Sequence, residues 1–198
     1  MKEFWDKRYE KDGWVYGQEP NVFFQEVLSR LPPGRILLPA EGEGRNAIFS
    51  ARTGWEVEAF DFSPAAKQKA LTWAKEENLV IQYELQDLTE WNPLEEVYDV
   101  VSLIFIHLVP THRVDFHQKV IKSVKKGGIV IIEAFRPEQV GHSSGGPQDP
   151  RMLYTLVDLE NDFMTLEKVS QENWSGYLDE GQYHRGQAET IRMVFQKN

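Results

Sequence analysis

Glu41-Gly42-Glu43-Gly44-Arg45-Asn46 is the stretch best equipped for chemistry: two glycines, each preceded by a carboxylate, directly after the short apolar run Arg35-Ile36-Leu37-Leu38-Pro39. Missing β-carbons let a ligand approach the backbone, and the first N–H groups of a helix starting there face outward. Gly42 to Ala47 also satisfies G-x-G-x-x-A, a loose dinucleotide pattern that many sheets carry for steric reasons alone. Asp61 stands 19 residues beyond Gly42 at the end of the next apolar run, where a carboxylate can accept both hydroxyls of a ribose. Asp87, in Gln86-Asp87-Leu88, closes the run after that; it can accept from an adenine amino group while Leu88 packs on the ring. Either acid alone reads as a solvated loop residue or a helix cap. At three successive strand ends, the glycine turn, Asp61 and Asp87-Leu88 describe an adenosine site.

The charge at the turn selects among adenosine ligands. Glu41 and Glu43 put two negative charges where a dinucleotide would place its pyrophosphate. S-adenosylmethionine carries a sulfonium and an ammonium instead, and an acidic rim attracts both. Without any ligand, the same glutamates would favour the helix dipole. Beyond the turn, His107 follows an apolar run and could hold or deprotonate a nucleophile, or serve as a structural histidine. Trp5, Tyr9, Trp14 and Tyr16 could form an aromatic lid that touches a cation, or simply pack. Arg136, His142, His184 and Arg185 fall in loop-like stretches where they could attract an anionic acceptor or lie solvated at the surface. His107, His112 and His117 recur every five residues, a spacing that builds no metal-binding face on a helix, and no metal is expected.

These residues need an alternation of strand and helix to carry them. Pro20-Asn21 precedes Val22 to Leu28, whose apolar spacing suits an amphipathic helix that Pro32-Pro33-Gly34 stops. Arg35 to Pro39 is the first strand, Asn46 to Arg52 a helix closed by Gly54, and Val57 to Phe60 the second strand. Ser63-Pro64 supplies an N-cap and a helix-starting proline for Ala65 to Glu77. Val80 to Leu85 and Val100 to Phe105 read as interior strands, and Arg113 to Val124 as a helix. Lys125-Lys126-Gly127-Gly128 turns the chain into a fifth strand, Ile129 to Phe135. Pro137 to Pro150 is loop-like, and Thr155-Leu156-Val157-Asp158 has capping-box form. Leu166 to Tyr177 and Glu189 to Phe195 should pair as an antiparallel hairpin. The expectation is an α/β, Rossmann-like, mostly parallel seven-stranded sheet flanked by helices, with a C-terminal antiparallel hairpin.

Composition removes several classes. The 198 residues favour one domain over 1–198, with residues 1–31 as an N-terminal arm and helix able to form a lid. With 31 acidic and 22 basic residues, the formal charge of -9 repels phosphate backbones and argues against nucleic-acid partners. There is no cysteine, so disulfides, thiolate nucleophiles and Cys-held metals are excluded. The charged start, MKEFWDKRYE, lacks the apolar core of a secretory signal, and no run suffices to span a bilayer. A cytoplasmic protein with a small-molecule acceptor and no membrane partner is expected.

The chain resembles the class I S-adenosylmethionine-dependent methyltransferases, more narrowly the small tellurite-resistance (TehB-like) and thiopurine-methyltransferase-like group. The likeness rests on Trp5-Asp6-x-x-Tyr9, Tyr16-Gly17-x-x-Pro20-Asn21, Ala40 to Ala47, Asp61-Phe62-Ser63-Pro64, Asp87-Leu88, Ile104 to Leu108 and Lys126-Gly127-Gly128. Glu133-Ala134-Phe135, Gly145-Gly146-Pro147 and Glu180-Gly181-x-x-His184-x-Gly186 look like signatures of one branch of it. The resemblance implies methionine-moiety contacts from Glu41, Gly42, Gly44 and Tyr16, ribose contacts from Asp61, and adenine contacts from Phe62, Asp87 and Leu88. It places Ile104 and His107 beside the methyl group. Where the wider superfamily has an acid and a glycine, this chain has Leu38 and Ala40, and Glu41 is near enough in sequence to stand in for the acid. Methyl transfer from a sulfonium is an in-line displacement that alignment and water exclusion can accelerate without a covalent intermediate. If substrates transfer within the group, the acceptor is a thiol or a tellurium or selenium oxyanion. Two other readings stay open: a non-catalytic S-adenosylmethionine-binding module, and an NAD-dependent oxidoreductase using Gly42, Gly44, Ala47 and Asp61.

Overall fold

The protein is described by a computed structural model covering residues 2–11 and 13–198. Residues 1 and 12 of the N-terminal arm lie outside the described residues. The chain divides into two compact units, Met1–Trp91 with Glu180–Tyr183, and Asn92–Asp179 with His184–Asn198.

The first unit runs α1 (Lys2–Tyr9), α2 (Val22–Leu28), β1 (Arg35–Pro39), α3 (Arg45–Arg52), β2 (Glu56–Asp61), α4 (Pro64–Glu76) and β3 (Ile81–Leu85). Its strands follow the order β3-β2-β1, all parallel, with Pro39 opposite Phe60 and Asp61 opposite Leu85. Local signals set the helix starts. Asn21 accepts the Phe24 N–H at 2.8 Å to begin α2, and the Ser63 hydroxyl accepts the Ala66 N–H at 3.2 Å to begin α4. A cap of this kind contributes about 1 kcal/mol. Ile36, Leu37 and Leu38 are buried because a parallel strand covered on both faces has no polar side to show.

The second unit holds β4 (Tyr98–Ile104), α5 (Pro110–Ser123), β5 (Val124–Phe135), α6 (Leu156–Asp162), β6 (Glu167–Asp179) and β7 (Arg185–Gln196). Here the order is β4-β5-β7-β6, with β4 and β5 parallel and the last two pairings antiparallel. The capping box at Thr155 and Asp158 is present in both directions. Together these are the seven strands of a mixed, mostly parallel α/β sheet flanked by helices and ending in an antiparallel hairpin. Among the described residues, no helix is long and apolar enough to cross a membrane.

Three expectations need correction. β3 is an edge strand, not an interior one: Gln82, Glu84 and Leu85 are exposed, and the polar alternation of Ile81-Gln82-Tyr83-Glu84 is that of a strand with one wet face. Helix α5 starts at Pro110 rather than Arg113, because proline's fixed φ suits the first helical turn and its missing N–H is not needed there. Lys125 to Gly128 does not form a separate turn; the segment lies inside β5 as a bulge, where the register jumps between Tyr98/Val124 and Val100/Ile129 and Gly127 takes φ 77°.

Candidate active site

Carboxylates build the glycine turn from within. Asp61, at the end of β2, accepts the Gly42 N–H at 3.1 Å through one oxygen and the Ser63 N–H at 2.9 Å through the other. Glu41 accepts the Ala47 N–H at 2.7 Å and so caps α3 from the preceding turn. The Tyr83 hydroxyl donates to the Gly42 carbonyl at 2.6 Å from β3. Burial pushes the Glu41 carboxyl up to about 7 and the Asp61 carboxyl to about 6, against the lowering effect of these amide hydrogen bonds. Two acids that resist ionisation therefore flank one turn, and a cation placed there would lower the cost of charging both.

The two glycines serve different ends. Gly44 takes φ 95°, and a β-carbon on it would stand 2.8 Å from the Ala70 β-carbon, so it lets α3 pack closely on α4. Gly42 takes φ 64°, and a β-carbon there would meet the Tyr9 hydroxyl at 2.7 Å. Tyr9 belongs to α1, so the arm reaches the turn. Ala40, standing where the wider superfamily has glycine, also adopts a positive φ, 49°.

Glu43 neither caps the helix nor faces open solvent. It accepts the Val15 N–H at 2.7 Å and the Lys69 ammonium at 2.7 Å, while Lys69 also donates to the carbonyls of Lys11 and Gly13, each at 2.8 Å. Asp6 adds a second fastening by accepting the Ser63 hydroxyl at 2.5 Å. Of the four aromatics considered as a lid, Trp5, Tyr9 and Tyr16 cluster, with centroids 6.0 to 6.4 Å apart. Trp14 turns away onto Trp73 at 4.7 Å.

The signatures at Tyr16-Gly17, Asn21 and Glu180-Gly181 form one junction. Glu180 accepts from Arg45 at 2.8 Å and from Asn21 at 3.1 Å, and a β-carbon on Gly181 would lie 2.5 Å from the Tyr16 carbonyl carbon. Tyr16 is thereby fixed through its backbone, and its hydroxyl accepts from Arg8 at 2.9 Å. Sequence reasoning gave Asp6, Lys69, Tyr83 and Glu180 no role. Their only signal was membership of, or spacing from, the quoted motifs.

Asp87 shapes its own turn by accepting both the N–H and the hydroxyl of Thr89, at 2.9 and 2.7 Å. Leu88 beside it is buried, and Phe62 after Asp61 is half-buried. Glu41, Gly42 and Asp61 are thus brought together at one turn, and Asp87 and Leu88 follow β3 in the same unit.

Ile104 and His107 belong to the second unit. Ile104 ends β4 half-buried. His107 is bound at both ring nitrogens, Nδ1 lying 2.7 Å from the Met152 carbonyl and Nε2 accepting the Phe135 N–H at 3.2 Å. Burial pushes its pKa down to about 4, so the ring is neutral, with the Nδ1 proton directed to the carbonyl. This arrangement ties the β4 exit to β5 and to the Met152 turn. Of the residues considered for an anionic acceptor, His184 is buried rather than solvated. Arg136 pairs with Glu189 and with Glu138, and Arg185 with Asp179.

Residues 36–128 match a family described as a methyltransferase domain. A curated relative, hemagglutinin 1 of Eikenella corrodens, is 33% identical over 86 residues, a stretch covering 42% of this chain and only 28% of that protein. Among solved structures, one from work on the conversion of a disulfide bond into a thioacetal group during echinomycin biosynthesis has a TM-score of 0.81 at 16% identity, covering 100% of this chain and 92% of the other. TehB from Haemophilus influenzae gives 0.76 at 18% identity, over 100% and 67% of the two chains. The N-methyltransferase NodS from Bradyrhizobium japonicum WM9, in complex with S-adenosyl-L-homocysteine, gives 0.76 at 13% identity, over 99% and 97%. The family match covers less than half of this chain, and the solved structures, all under 25% identical, share its fold.

Proposed function

We propose that this methyltransferase-fold chain transfers the methyl group of S-adenosylmethionine to a small-molecule acceptor by in-line displacement. One observation carries the reading: Glu41 and Asp61, both held above the usual carboxylate range by burial, converge on the turn that a cationic cofactor would occupy. The same geometry weighs against a nicotinamide dinucleotide, because a carboxylate already caps the helix amide that a pyrophosphate would need. In the proposed assignment Asp61 holds the ribose, Asp87, Leu88 and Phe62 frame the adenine, and Glu41, Gly42, Gly44 and Tyr16 surround the methionine moiety. The cofactor supplies an electrophilic methyl on a leaving sulfonium; the chain supplies orientation and water exclusion, with the arm fastened by Glu43, Lys69 and Asp6 as a lid. His107, neutral and bound at both nitrogens, is suited to holding the β4 exit in place. The acceptor is a small soft nucleophile, a thiol or a tellurium or selenium oxyanion, and the setting is cytoplasmic, with no nucleic-acid or membrane partner.

The test is calorimetric titration of the protein with S-adenosylmethionine, S-adenosylhomocysteine and NADH in one buffer. Binding of the first two alone supports the reading, and Asp61→Ala should weaken it by about 1–3 kcal/mol through an unpaired ribose. Binding of NADH alone would overturn it. Cofactor binding with no methyl transfer to any thiol or oxyanion would leave a binding module.

A further inference from the structure

Tyr9 ends α1 only 6% exposed, with its hydroxyl against the glycine turn, where a β-carbon on Gly42 would meet that oxygen at 2.7 Å. Its ring is held by its neighbours, stacked on Trp5 at 6.0 Å and edge-on to Tyr16 at 6.4 Å. Asp6 bound to Ser63, and Glu43 bound to Val15 and Lys69, fasten the arm around it. Among the described residues the Tyr9 hydroxyl makes no hydrogen bond, although the residue is more than nine-tenths buried. Buried polar groups are ordinarily paired, so a hydroxyl held in this way points to a ligand. Burial first, and then Asp61, Tyr16, Glu43 and Glu41, hold its pKa well above the usual tyrosine value, so the hydroxyl keeps its proton and can donate it in a hydrogen bond.

The groups around this donor define what it can take. The Gly42 N–H goes to Asp61 and the Gly42 carbonyl accepts from Tyr83. The cations beside the turn are engaged as well: Lys69 with Glu43, Arg45 with Glu180, and Arg8 with the Tyr16 hydroxyl and the rings of Trp5 and Tyr183. The cofactor of the proposed function ends in an amino acid that carries both charges. Its ammonium is attracted by Glu41 and Asp61, whereas its carboxylate shares their sign and is repelled from the turn unless a donor receives it.

Resting on that cofactor reading, we propose that Tyr9 is a binding residue whose hydroxyl donates to the α-carboxylate of the cofactor's methionine end, so that the arm selects ligands carrying this group. A neutral phenol does so without a second charge to desolvate, and the missing β-carbon of Gly42 leaves it the room. A Tyr9 that only packed would serve ligands with and without the carboxylate alike.

The test uses the full-length protein, its Tyr9→Phe variant and two probes: S-adenosylhomocysteine, and its decarboxylated analogue, which keeps the ammonium but lacks the carboxylate. In calorimetric titrations the wild type should bind S-adenosylhomocysteine about tenfold more tightly than the analogue, the size expected for a hydrogen bond to a charged group. Tyr9→Phe keeps the ring and deletes the hydroxyl. It should weaken S-adenosylhomocysteine about tenfold and bind the analogue within about twofold of wild type, which also shows that the variant is folded. Equal weakening of both ligands would assign the hydroxyl to the fold or to the ammonium, and a preference that survives in Tyr9→Phe would give the carboxylate to another donor; either result overturns the proposal. So would a wild type that binds both probes equally, an outcome no folding defect of the variant can produce. Wild-type protein that binds neither probe would bring down the cofactor reading, and this inference with it.

Discussion

Glu41→Gln isolates the electrostatic cost stored at the glycine turn. The amide oxygen can keep the hydrogen bond from the Ala47 N–H, and the amide nitrogen replaces the oxygen that accepts weakly from Asn46 at 3.5 Å, so the substitution removes a charge with little change of shape. The folded-state pKa is raised from 4.5 to about 7. A raised value means that stability is fully present below the unfolded pKa and is lost as pH rises through the folded one. Across pH 5 to 8 the wild type should lose about 2.5 kcal/mol from this group that the glutamine variant does not lose, at 1.36 kcal/mol per unit. Urea denaturation of both proteins at several pH values measures the difference directly, and contributions shared by both proteins, such as that of His107, cancel. Two curves running parallel from pH 5 to 8 would refute the buried, reluctantly ionised carboxylate. Cofactor binding supplies the complement: if a cation binds the ionised form, wild-type affinity for S-adenosylmethionine should rise about tenfold between pH 6 and 8, and that of Glu41→Gln much less.

His107, with its pKa depressed to about 4, contributes stability that is present above the unfolded value near 6.5 and lost as pH falls toward 4. His107→Phe should remove that acid-side loss, lower stability at pH 7 by about 1–3 kcal/mol through the orphaned Phe135 N–H, and leave cofactor affinity unchanged; urea curves at pH 5 and 7 with a calorimetric titration check all three. Gly44→Ala should destabilise by about 2–4 kcal/mol, combining a disfavoured φ with a 2.8 Å approach to Ala70; adding Ala70→Gly should recover part of it, and strictly additive losses in thermal melts would remove the packing explanation. Lys69→Met should loosen the arm at Lys11 and Gly13, seen as faster tryptic cleavage after Lys11 with the global melting temperature little moved, and unchanged cleavage would count against the clamp.

What the sequence disclosed was mostly local. Ser63-Pro64 and the Thr155/Asp158 box act over three or four residues, so their outcome could be read before any tertiary contact was known. The meeting of Gly42 and Asp61 was legible for the same reason, since it comes through one parallel pairing of adjacent strands. Partner choice over long separations was not. Glu180 reaches Arg45 across 135 residues and Lys69 reaches Glu43 across 26, and nothing in either residue type names its partner. Burial was equally hidden: His107 and His184 both follow apolar or glycine-rich stretches, yet one is kept neutral by burial and bound at both ring nitrogens, and the other lies edge-on against Phe105 and Phe135. Glu43 shows the consequence for function. Its charge at the turn suggested either a cofactor contact or a helix-dipole partner, whereas its two oxygens are occupied by Val15 and Lys69. In the proposed function that leaves Glu41 and Asp61 to meet a cation at the turn, while Glu43 holds the arm whose Tyr9 stands against Gly42.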